Sequence, residues 1–381
     1  MKSSDRNVDS MAGTAARTHM ARDPRRSPGL LFLHVLLIVA LVAVACAAVA
    51  VRTLGDPDAS DRSPTVVLPG GIRGVTSTED GLGPLAQPPS PPVSLEPGLK
   101  AKGYGLPEDA NVYAVRVVEG PEGRTYEQYQ AGGGALAVDF WPASSIKVLA
   151  ALGALDFARS LGYTGAAMVT FDDGGPSRTL RSIYEPAIRD SSNYDYDLLV
   201  RIAGRDRLND EFLTARNGFP VTSISRSYSG LVFDESPAMI FEEGDRRTYV
   251  PVRKAEGKPE CGEGNCSNLF EMTESVRRIV LNDQIPAEQR FDLDPGDVQA
   301  LSGALLKAEG FLSGAVAGAL GPGARIWSKP GDADGLDCLE VAFVESRAGK
   351  RFIVAATVPH SSGGCAAMSR LARGVLELLA T

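Results

Sequence analysis

One stretch constrains the whole chain: residues 29–51, which contain LLFLHVLLIVALVAVACAAVAV and no Asp, Glu, Lys or Arg. A helix of about 20 apolar residues spans the hydrocarbon core of a bilayer, so this run is long enough to cross. It also exceeds the apolar part of a secretory signal, which is about 7–15 residues. Lys2, Arg6, Arg17, Arg22, Arg25 and Arg26 precede it, opposed by Asp5, Asp9 and Asp23. Positive flanks stay on the cytoplasmic side. The expectation is a cytoplasmic tail at 1–28, a transmembrane helix at 29–51 and everything later outside the cell. A cleaved signal is the rival reading. Cys46, after Ala43-Val44-Ala45, is a poor lipobox match and reads better as a small residue of an apolar helix. Neither alternative changes the side of the membrane.

From residue 52 to 107 the chain is rich in Pro, Gly, Ser and Asp and ends in Gln87-Pro88-Pro89-Ser90-Pro91-Pro92. Such a segment buries too little apolar surface to order itself, and its prolines favour an extended spacer, so it reads as a disordered linker. The globular part is then 108–381, ample for a sizeable core. The net charge of −8 and the lack of a basic stripe with interleaved aromatics argue against a nucleic-acid partner. Four cysteines follow the apolar run: Cys261, Cys266, Cys338 and Cys365. An even number in an exported domain favours disulfides over zinc, and only His360 lies near any of them.

Periodicity gives the coarse organisation. Residues 111–119 and 125–130 read as strands, and an apolar helix follows at 148–161, ended by Gly162. Helical segments are expected at 194–204, 207–217, 270–283 and 297–308. Strands return at 324–329, 339–346 and 351–358, the last two joined by a hairpin at 347–350. An amphipathic helix at 366–379 closes the chain. Strands, then helices, then strands and a helix predict an α+β domain, with one sheet made from both chain ends and a helical lobe inserted between them.

Three short motifs occur in order. Ser144-x-x-Lys147 opens the apolar helix, a spacing that puts both side chains on one face about one turn apart. A hydroxyl is a weak nucleophile unless a base takes its proton, and a desolvated lysine can be that base. The bland alternative is an N-cap serine with a solvated lysine. Against it stands the nearly uncharged helix, which implies burial of Lys147. Ser191-Ser192-Asn193 and Lys329-Pro330-Gly331 are each, alone, ordinary turn signatures.

Together the three resemble the S-x-x-K, S-x-N and K-T-G set of class A β-lactamases and penicillin-binding proteins. The resemblance covers nearly all of 108–381, including Phe140-x-Pro142-Ala143-Ser144 and the strand–strand–helix ending. It implies a five-stranded antiparallel sheet flanked by helices, with the α/β part at 108–140 and 322–381 and an all-helical lobe at 141–321. It further implies Ser144 as acylated nucleophile and Lys147 as proton acceptor or relay. Ser191 would pass a proton to the leaving group, and Asn193 would position Lys147 or substrate. Lys329 would supply positive charge. The backbone N–H groups of Ser144 and Asp332 would form an oxyanion hole beside Gly331. Neither a cofactor nor a metal is implied. In an antiparallel pair the start of the penultimate strand meets the end of the last, which pairs Cys338 with Cys365. Cys261 and Cys266 flank a short loop and would pair with each other.

The pattern also departs from that family. The glutamate that activates the deacylating water has no counterpart in Val221–Ser229, and Glu235, Glu242 and Glu243 lie later. Pro330 replaces a threonine. Asp332, Asp334 and Asp337 place acids at the mouth, which would repel an anionic substrate unless Lys329 or Arg351 offsets them. The spacing from Ser144 to Ser191 is also shorter than in class A enzymes. A histidine triad is disfavoured because 108–381 holds one histidine, His360, and no G-x-S-x-G. The expectation is a membrane-anchored serine hydrolase acting outside the cell on a small-molecule or cell-wall peptide amide or ester, with weak or no β-lactam turnover. The alternatives are a D,D-carboxypeptidase-type peptidase, and a non-catalytic sensor or scaffold that keeps the fold.

Overall fold

The computed structural model describes residues 67–68, 72–73, 75–78 and 91–381, apart from 122, 134–135, 137–139, 176, 258–260, 262–263 and 334. The expected tail at 1–28 and transmembrane helix at 29–51 lie outside the described residues, as does Asp334. Among the described residues no helix is long and apolar enough to cross a membrane.

The α+β architecture is present. Arg325–Asp332, Asp337–Glu345, Arg351–Pro359, Asn111–Gly120 and Gly123–Ala131 lie side by side in that order, each antiparallel to its neighbour. The sheet is larger than the five strands expected. Val75–Thr78 adds an antiparallel strand beyond Gly123–Ala131, and Val93–Ser94 pairs with that same strand in parallel. Residues before 108 are therefore part of the packed domain. Leu95 and Leu99, on and beside the helix Glu96–Ala101, are fully buried. The proline-rich composition that suggested a spacer throughout 52–107 hid two apolar anchors too few to register as periodicity.

The central strands are buried on both faces. Val112, Ala114, Cys338, Ala342, Phe352 and Val354 face one core, with Leu371, Val375 and Leu379 of the closing helix Gly364–Leu379 and with Leu312 and Val316 around the helix Ser313–Leu320. Their neighbours Tyr113, Val115, Leu339, Val341 and Ile353 face the other core, against Phe270 and Val276 of the helix Leu269–Val280. Period-2 alternation is thus between two buried sides, which is why these strands read as almost continuously apolar.

The lobe centres on the helix Lys147–Ser160, which is buried along nearly its whole length, as expected of a helix that is apolar all round. Leu180–Arg189 and Asn193–Ala203 pack around it, with Pro295–Lys307 against Leu180–Arg189. The lobe is not all-helical. Met168–Phe171, Arg178–Thr179, Met239–Glu243 and Arg246–Val250 form a four-stranded antiparallel sheet. Its hairpin turns on Gly244-Asp245, with Gly244 at φ 60°, a left-handed position that favours glycine. The helix expected at 207–217 is instead two short turns, Leu208–Phe212 and Ala215–Asn217. There Asn209 bonds across to the backbone of Ile224. Both expected disulfides, Cys261–Cys266 and Cys338–Cys365, are formed.

Candidate active site

Pro142 leads into a short turn, Ala143–Ile146, that runs directly into the helix Lys147–Ser160. Ser144 is half-buried at the floor of an open cleft of about 250 Å³, shared with Trp141, Asn193, Tyr228, Asp332 and Ala333. Ala143 holds φ at 46°, and Ser191, in the turn before Asn193–Ala203, holds 57°. Left-handed backbone at a residue other than glycine costs about 1–3 kcal/mol and tends to cluster at functional sites. Both of these flank the same cluster.

Four of the predicted side chains meet. The Lys147 ammonium donates to the Ser191 carbonyl at 2.5 Å, to Asn193 Oδ1 at 2.6 Å and to Ser191 Oγ at 3.2 Å. Lys329 Nζ reaches the same Ser191 Oγ at 2.9 Å and the Pro330 carbonyl at 3.0 Å. One hydroxyl is thus held between two lysines, both fully buried. Ser144 Oγ makes no hydrogen bond among the described residues, so its hydroxyl is free to turn toward an incoming carbonyl.

Burial sets the electrostatics. Desolvation pulls Lys147 down to about 7, against the opposing charges of Asp197 and Asp195. Desolvation, reinforced by the Lys147 charge, pulls Lys329 down to about 7, with Glu340 opposing. Near neutral pH each lysine is therefore poised between its charged and neutral forms.

Gly331 explains how the edge strand Arg325–Asp332 comes so close to Ser144. A Cβ there would lie 2.8 Å from the Pro142 carbonyl and 3.1 Å from the Ser144 nitrogen. The strand end and the start of the serine turn are therefore in backbone contact, and Ser144 and Asp332 line one cleft.

Three residues important here were not singled out by the motifs. Asp197, fully buried, accepts from Ser227 Oγ at 2.5 Å, from the backbone of Tyr228 and Ser229 at 2.8 Å each, and from Ser229 Oγ at 2.5 Å. It thereby suspends the loop that forms one cleft wall. Tyr228 donates to the Ala143 carbonyl at 2.8 Å and accepts from Trp141 Nε1 at 3.2 Å, while its ring stacks on Tyr196 with centroids 4.6 Å apart. Burial pushes its phenol up to about 12, so it is a neutral donor. Trp141 carries the Arg226 guanidinium 4.3 Å above its ring. Only the Asp at helix spacing after Asn193 and the aromatics beside the motifs hinted at this group.

The carboxylates considered as water activators are elsewhere. Glu243 accepts from Thr164 and pairs with Arg246, and Glu242 pairs with Arg247. Glu235 is exposed on a two-stranded ribbon with Arg253–Lys254. Glu271, buried, accepts from the backbone of Val221 and Thr222 and so pins the start of the carboxylate-free loop from behind. Among the cleft-lining residues the one carboxylate is Asp332, which meets His360 Nε2 at 2.7 Å. Arg351 pairs with Glu345 and Glu119 instead.

Comparison with solved structures agrees with this arrangement at the level of fold. The TLA-3 extended-spectrum β-lactamase superposes with a TM-score of 0.52 at 12% identity, over 75% of this chain and 98% of that one. A class A β-lactamase from Mycobacterium abscessus gives 0.50 at 16% identity, over 74% and 97%. No protein-family model matches the sequence, and no curated protein matches it. The chain has the β-lactamase fold. Both of the structures compared are β-lactamases.

Proposed function

We propose that this protein is a serine hydrolase or acyl transferase, anchored by residues 29–51 with the 91–381 domain outside the cell, and that it acylates Ser144 with an amide or ester. The observation that carries this reading is the Ser191 hydroxyl held between Lys329 and Lys147, which itself lies about one turn along the helix from Ser144. Lys147 in its neutral form takes the Ser144 proton as Oγ attacks the carbonyl carbon. The backbone N–H groups of Ser144 and Asp332 receive the developing oxyanion. Ser191 gives its proton to the departing group and is reprotonated from the lysine pair.

The second half of the reaction is expected to be slow. The cleft wall beside Ser144 is Tyr228, a neutral phenol committed to Ala143 and Trp141, and Asp332 is engaged by His360. Neither is placed as a free base for water. This favours a long-lived acyl-enzyme, as in a penicillin-binding, D,D-carboxypeptidase-type protein, over an efficient β-lactamase. The test is labelling with a fluorescent penicillin followed by intact-mass measurement. Wild type should gain one persistent adduct that Ser144→Ala lacks, with nitrocefin turnover near background. Equal labelling of both forms would remove Ser144 from the mechanism.

A further inference from the structure

The rim of the cleft carries a charge pattern that points to the kind of substrate it accepts. Asp332 ends the edge strand, directly after Gly331, and its carboxylate is 42% exposed at the cleft. Its position is fixed by three constraints. His360 Nε2 holds Oδ1 at 2.7 Å, the His360 backbone N–H is bonded to the Leu336 carbonyl at 2.7 Å, and the Cys338–Cys365 bridge ties down the strand opposite. Asp337, at the start of the next strand, adds a second carboxyl near the same imidazole. One ring can offset at most one of the two.

The other basic groups of this strand are remote or committed: Arg325, at its opposite end, pairs with Glu345. Pro330, Gly331 and Ala333 have no donor side chain. Lys329 is fully buried and committed to Ser191 and Pro330. Arg351 sits at the far end of a strand whose nine residues span roughly 27 Å, and it is paired there with Glu345 and Glu119. Arg226 belongs to the loop side of the cleft, stacked on Trp141.

We infer that Asp332 sets the charge preference of the cleft: it admits acyl substrates bearing an ammonium or a neutral hydrogen-bond donor beside the scissile carbonyl, and disfavours those bearing a carboxylate there. This deepens the reading of Ser144 as acyl acceptor and rests on it. A fixed like charge at contact range in a partly desolvated site disfavours a ligand by about tenfold or more, and an opposite charge favours it similarly.

The test uses three thioesters of one N-acylated alanine, with mercaptoacetate, mercaptoacetamide or thiocholine as the departing thiol. Acylation forms the Ser144 Oγ–C bond and breaks C–S, and the serine proton ends on the departing sulfur through Lys147 and Ser191. Released thiol and the acyl-enzyme mass are followed for wild type, Asp332→Asn and Asp332→Lys. Ratios between forms cancel the thioesters' intrinsic reactivities. Asp332→Asn should lower the thiocholine-to-mercaptoacetate preference by about tenfold, and Asp332→Lys should invert the order. An unchanged preference in both variants, with Ser144 still acylated, overturns the role of Asp332 and keeps the hydrolase. Binding of the same compounds is measured in parallel on Ser144→Ala, with and without the Asp332 substitutions. If no form is acylated but binding still sorts by charge through Asp332, the hydrolase reading falls and the charge preference stands. Absence of both acylation and binding overturns both.

Discussion

At the scale of single residues, the behaviour of the site turns on two lysines whose ammonium groups burial has made unusually acidic. Acylation should require Lys147 neutral, so its rate should rise as pH increases through about 7. Lys147→Met should lower it by at least about a thousandfold, measured as adduct formation against pH. The same groups predict a stability profile. A lysine whose folded value lies near 7 binds fewer protons than its unfolded counterpart between about 7 and 10.5. Stability should therefore increase with pH across that window. Glu340, raised to about 7 by burial, acts oppositely, but only below neutrality. Melting temperatures from pH 7.5 to 9 should climb in wild type and climb less in Lys147→Met; a flat wild-type profile would contradict the buried-lysine account. The motif residues were legible because Ser144, Lys147, Ser191, Asn193 and Lys329 lie in short ordered patterns. Asp197 and Tyr228 were not, since their work is done by hydrogen bonds to segments 30 or more residues away, which no local pattern encodes.

At the scale of elements, the cleft is two backbone segments brought against the serine turn. Gly331→Ala should push the edge strand away from Pro142 and Ser144. The expected result is a loss of acylation of about a hundredfold, with only about 1–3 kcal/mol of stability lost, read by adduct kinetics beside denaturant unfolding. The opposite wall hangs on one buried carboxylate. Asp197→Asn should cost about 3 kcal/mol and loosen residues 227–231, detectable as faster amide exchange there. Helix and strand positions around the site were readable from periodicity, as at Asn111–Gly120 and Lys147–Ser160. The lobe's sheet was not, because its strands are only two to five residues long and sit among stronger helical signals.

At the scale of the molecule, the domain boundary falls before residue 108. A chain starting at 63 should melt cooperatively, whereas one starting at 108 loses Leu95, Leu99 and two strands and should melt several degrees lower. Equal melting temperatures would restore the linker reading for the whole of 52–107. The order of the sheet has a consequence for how the protein comes into being. Arg351–Pro359 lies between Asp337–Glu345 and Asn111–Gly120, pairing with a strand made roughly 240 residues earlier. The first strands therefore emerge from synthesis with one edge open and must wait until residues 351–359 have been made. Lys329 arrives in that same late segment, so a partly synthesised or truncated chain carries the serine but not the lysine pair around Ser191. Such a chain exposes an unpaired strand edge, and on the proposed mechanism it could not acylate Ser144 before residues 325–359 have been made and paired.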